Sequence, residues 1–132
     1  MQHQVEMNYL ISILLVGSGG FIGSAARYAA GGAIHRFIPG VTFPWGTVVV
    51  NIVGCFLIGM IAALTQTRQL FTPETRLLLM VGVLGGFTTF STFGYETFAL
   101  LRDGEQLRAF ANVAIQVIAG LVAVWLGYVL AR

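Results

Sequence analysis

Four apolar stretches, each long enough to cross a lipid bilayer, take up most of this sequence and leave little chain for anything else. A bilayer core is spanned by about 20 mostly apolar helical residues. The first stretch runs uncharged from Tyr9 to Ala26, meets Arg27 and continues apolar to Ile34. The second, Gly46 to Thr67, and the fourth, Ala109 to Ala131, carry no charge, and the third, Leu77 to Leu101, carries only Glu96. The reading is therefore an all-α membrane protein of one domain, 1–132, with spans at 9–34, 46–67, 77–101 and 109–131. The linkers HRFIPGVTFP, RQLFTPETR and RDGEQLR are short, and Pro39, Pro44 and Pro73 fall in them, where helix-breakers belong. Only 9% of residues are charged and the mean hydropathy is +0.85. A soluble domain carries about a quarter charged residues, so this chain lacks the polar groups to cover a surface against water.

Backbone facing lipid must satisfy its own hydrogen bonds, which selects helices; a barrel would need alternating polarity that these stretches lack. Gly19 and Gly23 form a GxxxG in the first span, and Gly82 and Gly86 repeat the spacing in the third. Such small-residue faces let helices approach closely. Cys55 stands alone in an apolar run and suggests neither a disulfide nor a metal site. The N-terminus MQHQVEMNY has no Arg or Lys, so the first span is expected to be retained rather than cleaved. All seven basic residues are arginines, scattered singly, which makes no nucleic-acid stripe.

Orientation is weakly specified. Arg68, Arg76 and Arg132 fall on one side, and Arg27, Arg36, Arg102 and Arg108 on the other. Three against four gives almost no positive-inside bias, so the chain is expected to insert both ways. An antiparallel, dual-topology homodimer is then the natural closed assembly.

The third span contains GGFTTFSTF, 85–93. Each glycine costs about 1 kcal/mol against alanine inside a helix, and four hydroxyls follow at Thr88, Thr89, Ser91 and Thr92. Two readings stand here. One is a helix broken near mid-membrane, whose carbonyls suit a cation and whose N–H groups and hydroxyls suit an anion. The other is a kinked helix whose hydroxyls bond back to their own carbonyls. Phe90 and Phe93 share a helix face, either as packing or with their positive ring edges turned to an anion. Asn51, within an uncharged run, is helix–helix glue or part of a pathway. Asn112 and Gln116 lie one turn apart in the fourth span, with Gly120 a turn further on. Arg27 is a snorkelling boundary residue or a vestibule charge, and Glu96 sits at a mouth, bonds a neighbouring helix or carries protons.

GGFIGSAARY (19–28), WGTVVVNIVGCFLIG (45–59) and GGFTTFSTFGYET (85–97) together resemble the Fluc/CrcB fluoride channels, over essentially the whole chain. The resemblance implies a passive fluoride channel in the bacterial inner (plasma) membrane, built as a dual-topology homodimer with two antiparallel pores. It implies a structural, untransported sodium ion held by the carbonyls of Gly85 and Thr88 from each subunit. It places Phe90, Phe93, Asn51 and Thr47 on the fluoride path, with Ser91 and Thr92 as donors, Arg27 in a vestibule and Glu96 beyond the phenylalanines. Where family members carry Tyr and Ser on the fourth helix, this chain has Asn112, Gln116 and Gly120, of which the first two can donate. Fluoride would leave the cytoplasm down the inside-negative potential after entering as neutral HF. No phosphate-binding glycine loop or nucleophile–base set argues for an enzyme. A proton-coupled exporter of drug-like cations working through Glu96 is the alternative, and a non-transporting packing subunit would leave these polar residues without a shared purpose.

Overall fold

A computed structural model describes residues 2–38, 40 and 42–132, with side chains from residue 8 onward. The expected linker position of Pro39 lies outside the described residues. The described chain is all-helical. Helix α1 is Gln2–Phe37 and α2 is Trp45–Arg68. Helix α3, residues 73–87, opens with a turn at Pro73–Arg76, widens into a π-helical segment Leu77–Leu84 and closes at Gly85–Phe87. Helix α4 is Phe90–Arg102 and α5 is Gln106–Ala131. Among the described residues, four segments are long and apolar enough to cross a membrane: Asn8–Phe37, Trp45–Arg68, Pro73–Arg102 and Gln106–Ala131.

Pro73 does not sit in a linker. It occupies the first turn of α3, where its missing N–H costs nothing, and the Thr72 hydroxyl caps that turn by accepting the Thr75 N–H at 3.3 Å. The turn between α4 and α5 is made by Gly104, whose φ of +79° suits glycine.

Glycines set the packing. Helix α1 lies along α3 and α2 along α5. A Cβ on Gly19 would stand 2.7 Å from the Leu78 carbonyl, one on Gly82 3.0 Å from the Gly19 Cα, and one on Gly86 2.6 Å from the Gly20 carbonyl. Backbone therefore meets backbone across α1 and α3, as the paired GxxxG spacings allow. Gly59 and Gly127 do the same between α2 and α5, each under a carbonyl of the other helix, Val124 and Phe56 respectively.

Candidate functional site: the interruption at Thr88 and Thr89

The third membrane-length segment leaves helical geometry at two residues. Thr88 has φ −84°, ψ 159° and Thr89 has φ −150°, ψ 116°, both extended. The glycine pair expected to cause such a feature is itself helical, with Gly85 at φ −63°, ψ −37°. Gly86 makes the close approach to α1 just described, whereas a Cβ on Gly85 would meet only the Met80 carbonyl, at 3.8 Å. The threonines suit the extended pair because β-branched residues favour that backbone, and their hydroxyls close both helix ends. Thr88 donates its N–H and its hydroxyl to the Leu84 carbonyl, each at 2.9 Å. Thr89 Oγ1 accepts the Thr92 N–H at 3.2 Å as the N-cap of α4 and donates to Thr92 Oγ1 at 2.9 Å.

The backbone of Thr89, a residue only 8% exposed, finds its partner on another helix. Its N–H donates to Asn51 Oδ1 at 2.8 Å, and its carbonyl accepts from Asn51 Nδ2 at 3.1 Å. The carboxamide thus pairs with Thr89 as a neighbouring strand would. The second Asn51 hydrogen goes to Gln116 Oε1 at 2.6 Å. Both donors that the sequence offered to an anion are already bonded.

Two consequences follow for the carbonyls expected to hold sodium. In a continuous helix Gly85 would accept from the Thr89 N–H and Thr88 from the Thr92 N–H. The first goes to Asn51 and the second to Thr89 Oγ1. Both carbonyls lose their helical donors, and both residues line the same cavity. With no hydrogen-bond donor among the described residues, the two oxygens, Gly85 on the last helical turn and Thr88 on extended backbone, fit a hard monovalent cation.

That cavity, about 330 Å³, also exposes Asn51, Gln116, Phe90 and Phe93. The two rings are 5.4 Å apart and tilted by 52°, and Phe90 is 82% exposed. A second cavity, about 130 Å³, brings together Arg27, His35, Thr47, Thr92 and Glu96. Thr47 Oγ1 donates to Glu96 Oε1 at 2.8 Å, while Glu96 Oε2 is buried with no partner among the described residues. Thr89 lines both cavities.

Of the residues singled out from sequence, Asn51, Gln116, Phe90, Phe93, Gly85 and Thr88 meet in the first cavity, and Arg27, Thr47, Thr92 and Glu96 in the second. Ser91 is exposed and lines neither, its hydroxyl 3.4 Å from Thr89 Oγ1. Asn112, 0% exposed, lines neither cavity and is bonded to Gln116 and Thr97. Sequence reasoning missed Thr97 and His35. Thr97 carried the same signal as its neighbours, a hydroxyl in an apolar run, whereas His35 reads as a linker residue until α1 extends through it.

A family model described as "CrcB-like protein, Camphor Resistance (CrcB)" matches residues 14–128. The chain belongs to the CrcB family. Its matched range includes every residue of both cavities. The chain is similar to the fluoride-specific ion channel FluC of Prosthecochloris aestuarii, 49% identical over 92% of this chain and 93% of that one. It is similar to the FluC of Methylobacillus flagellatus, 44% identical over 93% and 96%, and to that of Geobacter sulfurreducens, 46% identical over 93% and 98%. In this CrcB-family chain the motifs that suggested the family supply Arg27, Asn51, Thr89, Phe90, Phe93 and Glu96 to the interruption and its two cavities, while Gln116 and His35 come from outside them.

Proposed function

We propose that the chain is a passive fluoride-selective channel that exports fluoride from the cytoplasm across the bacterial inner membrane. The observation that carries the reading is the meeting of two cavities at Thr89. One holds the Phe90–Phe93 ring pair, and the other holds Arg27 and Glu96. The names of the relatives, fluoride-specific ion channels, supply the permeant. An unsolvated anion in an apolar medium costs tens of kcal/mol by Born arguments, on the order of its whole hydration energy, so it must be coordinated along the way. Ring edges carry partial positive charge and repel water, and they hold an anion more weakly than a full cation would. The Thr92 hydroxyl has no protein acceptor among the described residues and is free to donate.

The working unit is an antiparallel homodimer in the membrane, with the third segment broken near mid-bilayer. Near-equal arginine counts on the two sides support dual insertion. The carbonyls of Gly85 and Thr88, two from each subunit, would hold a structural sodium ion. It would supply fixed positive charge that fastens the interrupted backbone, without being transported.

The test is fluoride efflux from liposomes containing the purified protein, read with a fluoride electrode beside a chloride control. Rapid efflux of fluoride and not chloride, lost in Phe90→Ile, is expected. No efflux from well-folded protein would sink the channel and turn attention to proton-coupled transport through Glu96.

A further inference from the structure

One unbroken chain of donors crosses three helices. Asn51 Nδ2 donates to Gln116 Oε1 at 2.6 Å, and Gln116 Nε2 donates to Asn112 Oδ1 at 2.9 Å. Asn112 Nδ2 donates to Thr97 Oγ1 at 2.9 Å, and Thr97 Oγ1 donates to the Phe93 carbonyl at 2.8 Å. Every bond points the same way, from Asn51 to Phe93, by way of Asn112 and Thr97, which line neither cavity. Gln116 therefore shows its oxygen at the cavity wall beside Asn51, which is the wrong polarity for an anion.

The chain can reverse with little loss. The oxygen and nitrogen of a carboxamide are nearly the same size, so a half-turn of the terminal amide needs no new volume. That holds even for Asn112, which is fully enclosed. If Gln116 and Asn112 both turn, the Thr97 hydroxyl donates to Asn112 Oδ1 and Asn112 Nδ2 donates to Gln116 Oε1. The Gln116 nitrogen then stands where its oxygen was. The Phe93 carbonyl gives up the Thr97 hydroxyl but keeps the Thr97 N–H, its ordinary partner in α4. The reversed chain has one requirement. Two amide donors, from Asn51 and Gln116, now face each other and need an acceptor between them. A small anion takes both hydrogens with a full negative charge, whereas water takes them as a neutral acceptor and gains less. Without the anion, the forward direction satisfies more groups.

We propose that Gln116, Asn112 and Thr97 form a reversible amide relay whose direction is set by anion occupancy of the first cavity. Gln116 touches the anion as a donor in the occupied state. Asn112 and Thr97 are positioning residues that keep Gln116 satisfied in either state. The clamp between Asn51 and Thr89 does not take part, because it is closed at two points and the Gln116 bond at only one. This inference rests on the channel reading and assigns the fourth-helix amides a role within it.

The rival is a static brace, in which Gln116 competes with the anion for the Asn51 proton. The two differ in sign. Under the relay, Gln116→Met removes a donor from the occupied site, and the fluoride concentration for half-maximal conduction rises roughly ten- to a hundredfold, the worth of one hydrogen bond to a charged group. Under the brace, the same variant frees an Asn51 donor and that concentration falls. Titrating fluoride into full-length, side-chain-amide-labelled wild type gives a second readout by nuclear magnetic resonance. The relay requires the Asn112 side-chain amide signals to move together with those of Gln116, although Asn112 lines neither cavity. A lowered or unchanged half-saturation in the variant, or static Asn112 signals while Gln116 responds, overturns the relay and leaves the channel standing. A wild type that conducts no fluoride overturns both.

Discussion

Replacing Asn51 by leucine should damage folding as well as any transport, and the size of the damage can be worked from the contacts. The substitution removes three hydrogen bonds, at 2.8, 3.1 and 2.6 Å, while keeping the branching and heavy-atom count of the side chain. It leaves the N–H and carbonyl of Thr89 unpaired on a residue that is 8% exposed, and it strips Gln116 Oε1 of its donor. An orphaned buried group costs about 1–3 kcal/mol, so the two backbone groups alone suggest up to about 6 kcal/mol. Interhelical hydrogen bonds inside membrane proteins average nearer 0.6 kcal/mol, because the unfolded chain also finds partners, so three bonds set a floor of about 2 kcal/mol. The expected loss is about 2–6 kcal/mol, read by reversible denaturant titration in mixed micelles at fixed protein concentration. Asn51→Asp should be no milder: its carboxylate can still accept the Thr89 N–H, but it turns an acceptor toward the Thr89 carbonyl and Gln116 Oε1 and buries a charge. Amide exchange at Thr89 should accelerate in the leucine variant. Equal stability of Asn51→Leu and wild type, with Thr89 still protected, would refute the idea that this amide holds the interruption together.

Gly23→Ala should destabilise the packing of α1 on α3, because its Cβ would meet the Val83 carbonyl, which is backbone and cannot rotate away. Overpacking of this kind costs about 1–3 kcal/mol, and Gly17→Ala, with nothing within 4 Å, is the matched control for the same titration. If the Gly85 and Thr88 carbonyls hold sodium, exchanging it for a large organic cation should lower the thermal unfolding temperature of the purified protein. The effect should grow with the logarithm of sodium concentration above the dissociation constant, and an unfolding temperature indifferent to the cation would exclude a stabilising site.

The four membrane-length segments were legible because apolar length needs no knowledge of the partner: a run such as Ala109–Ala131 has only one economical use. The site was legible as a set of residue types and less so as a geometry. Gly85–Gly86 looked like the weak point of the third span, since glycine is a poor helix former. Inside an apolar assembly its missing Cβ matters more, and Gly86 stays helical beneath Gly20. The interruption falls at Thr88–Thr89 because that is where a partner exists for freed backbone groups, and the partner is 38 residues away. Pairing across that separation leaves no periodic trace in a single sequence. The same limit hid Thr97, which matters only once α4 lies beside Asn112 on α5.

Asn51 bonds across helices, as the glue reading has it, and under the proposed channel the second reading, pathway, is not an alternative to the first. A backbone interruption in a bilayer persists only where its polar groups are satisfied, so whatever lines a path there must first hold the path open. One edge of the Asn51 amide does the holding, through Thr89, and the remaining hydrogen faces Gln116 at the cavity wall. A residue divided in this way cannot be exchanged for a simple donor such as serine. A hydroxyl on the same Cβ reaches less far and has no second edge, and Thr89 would go unpaired before any anion arrived.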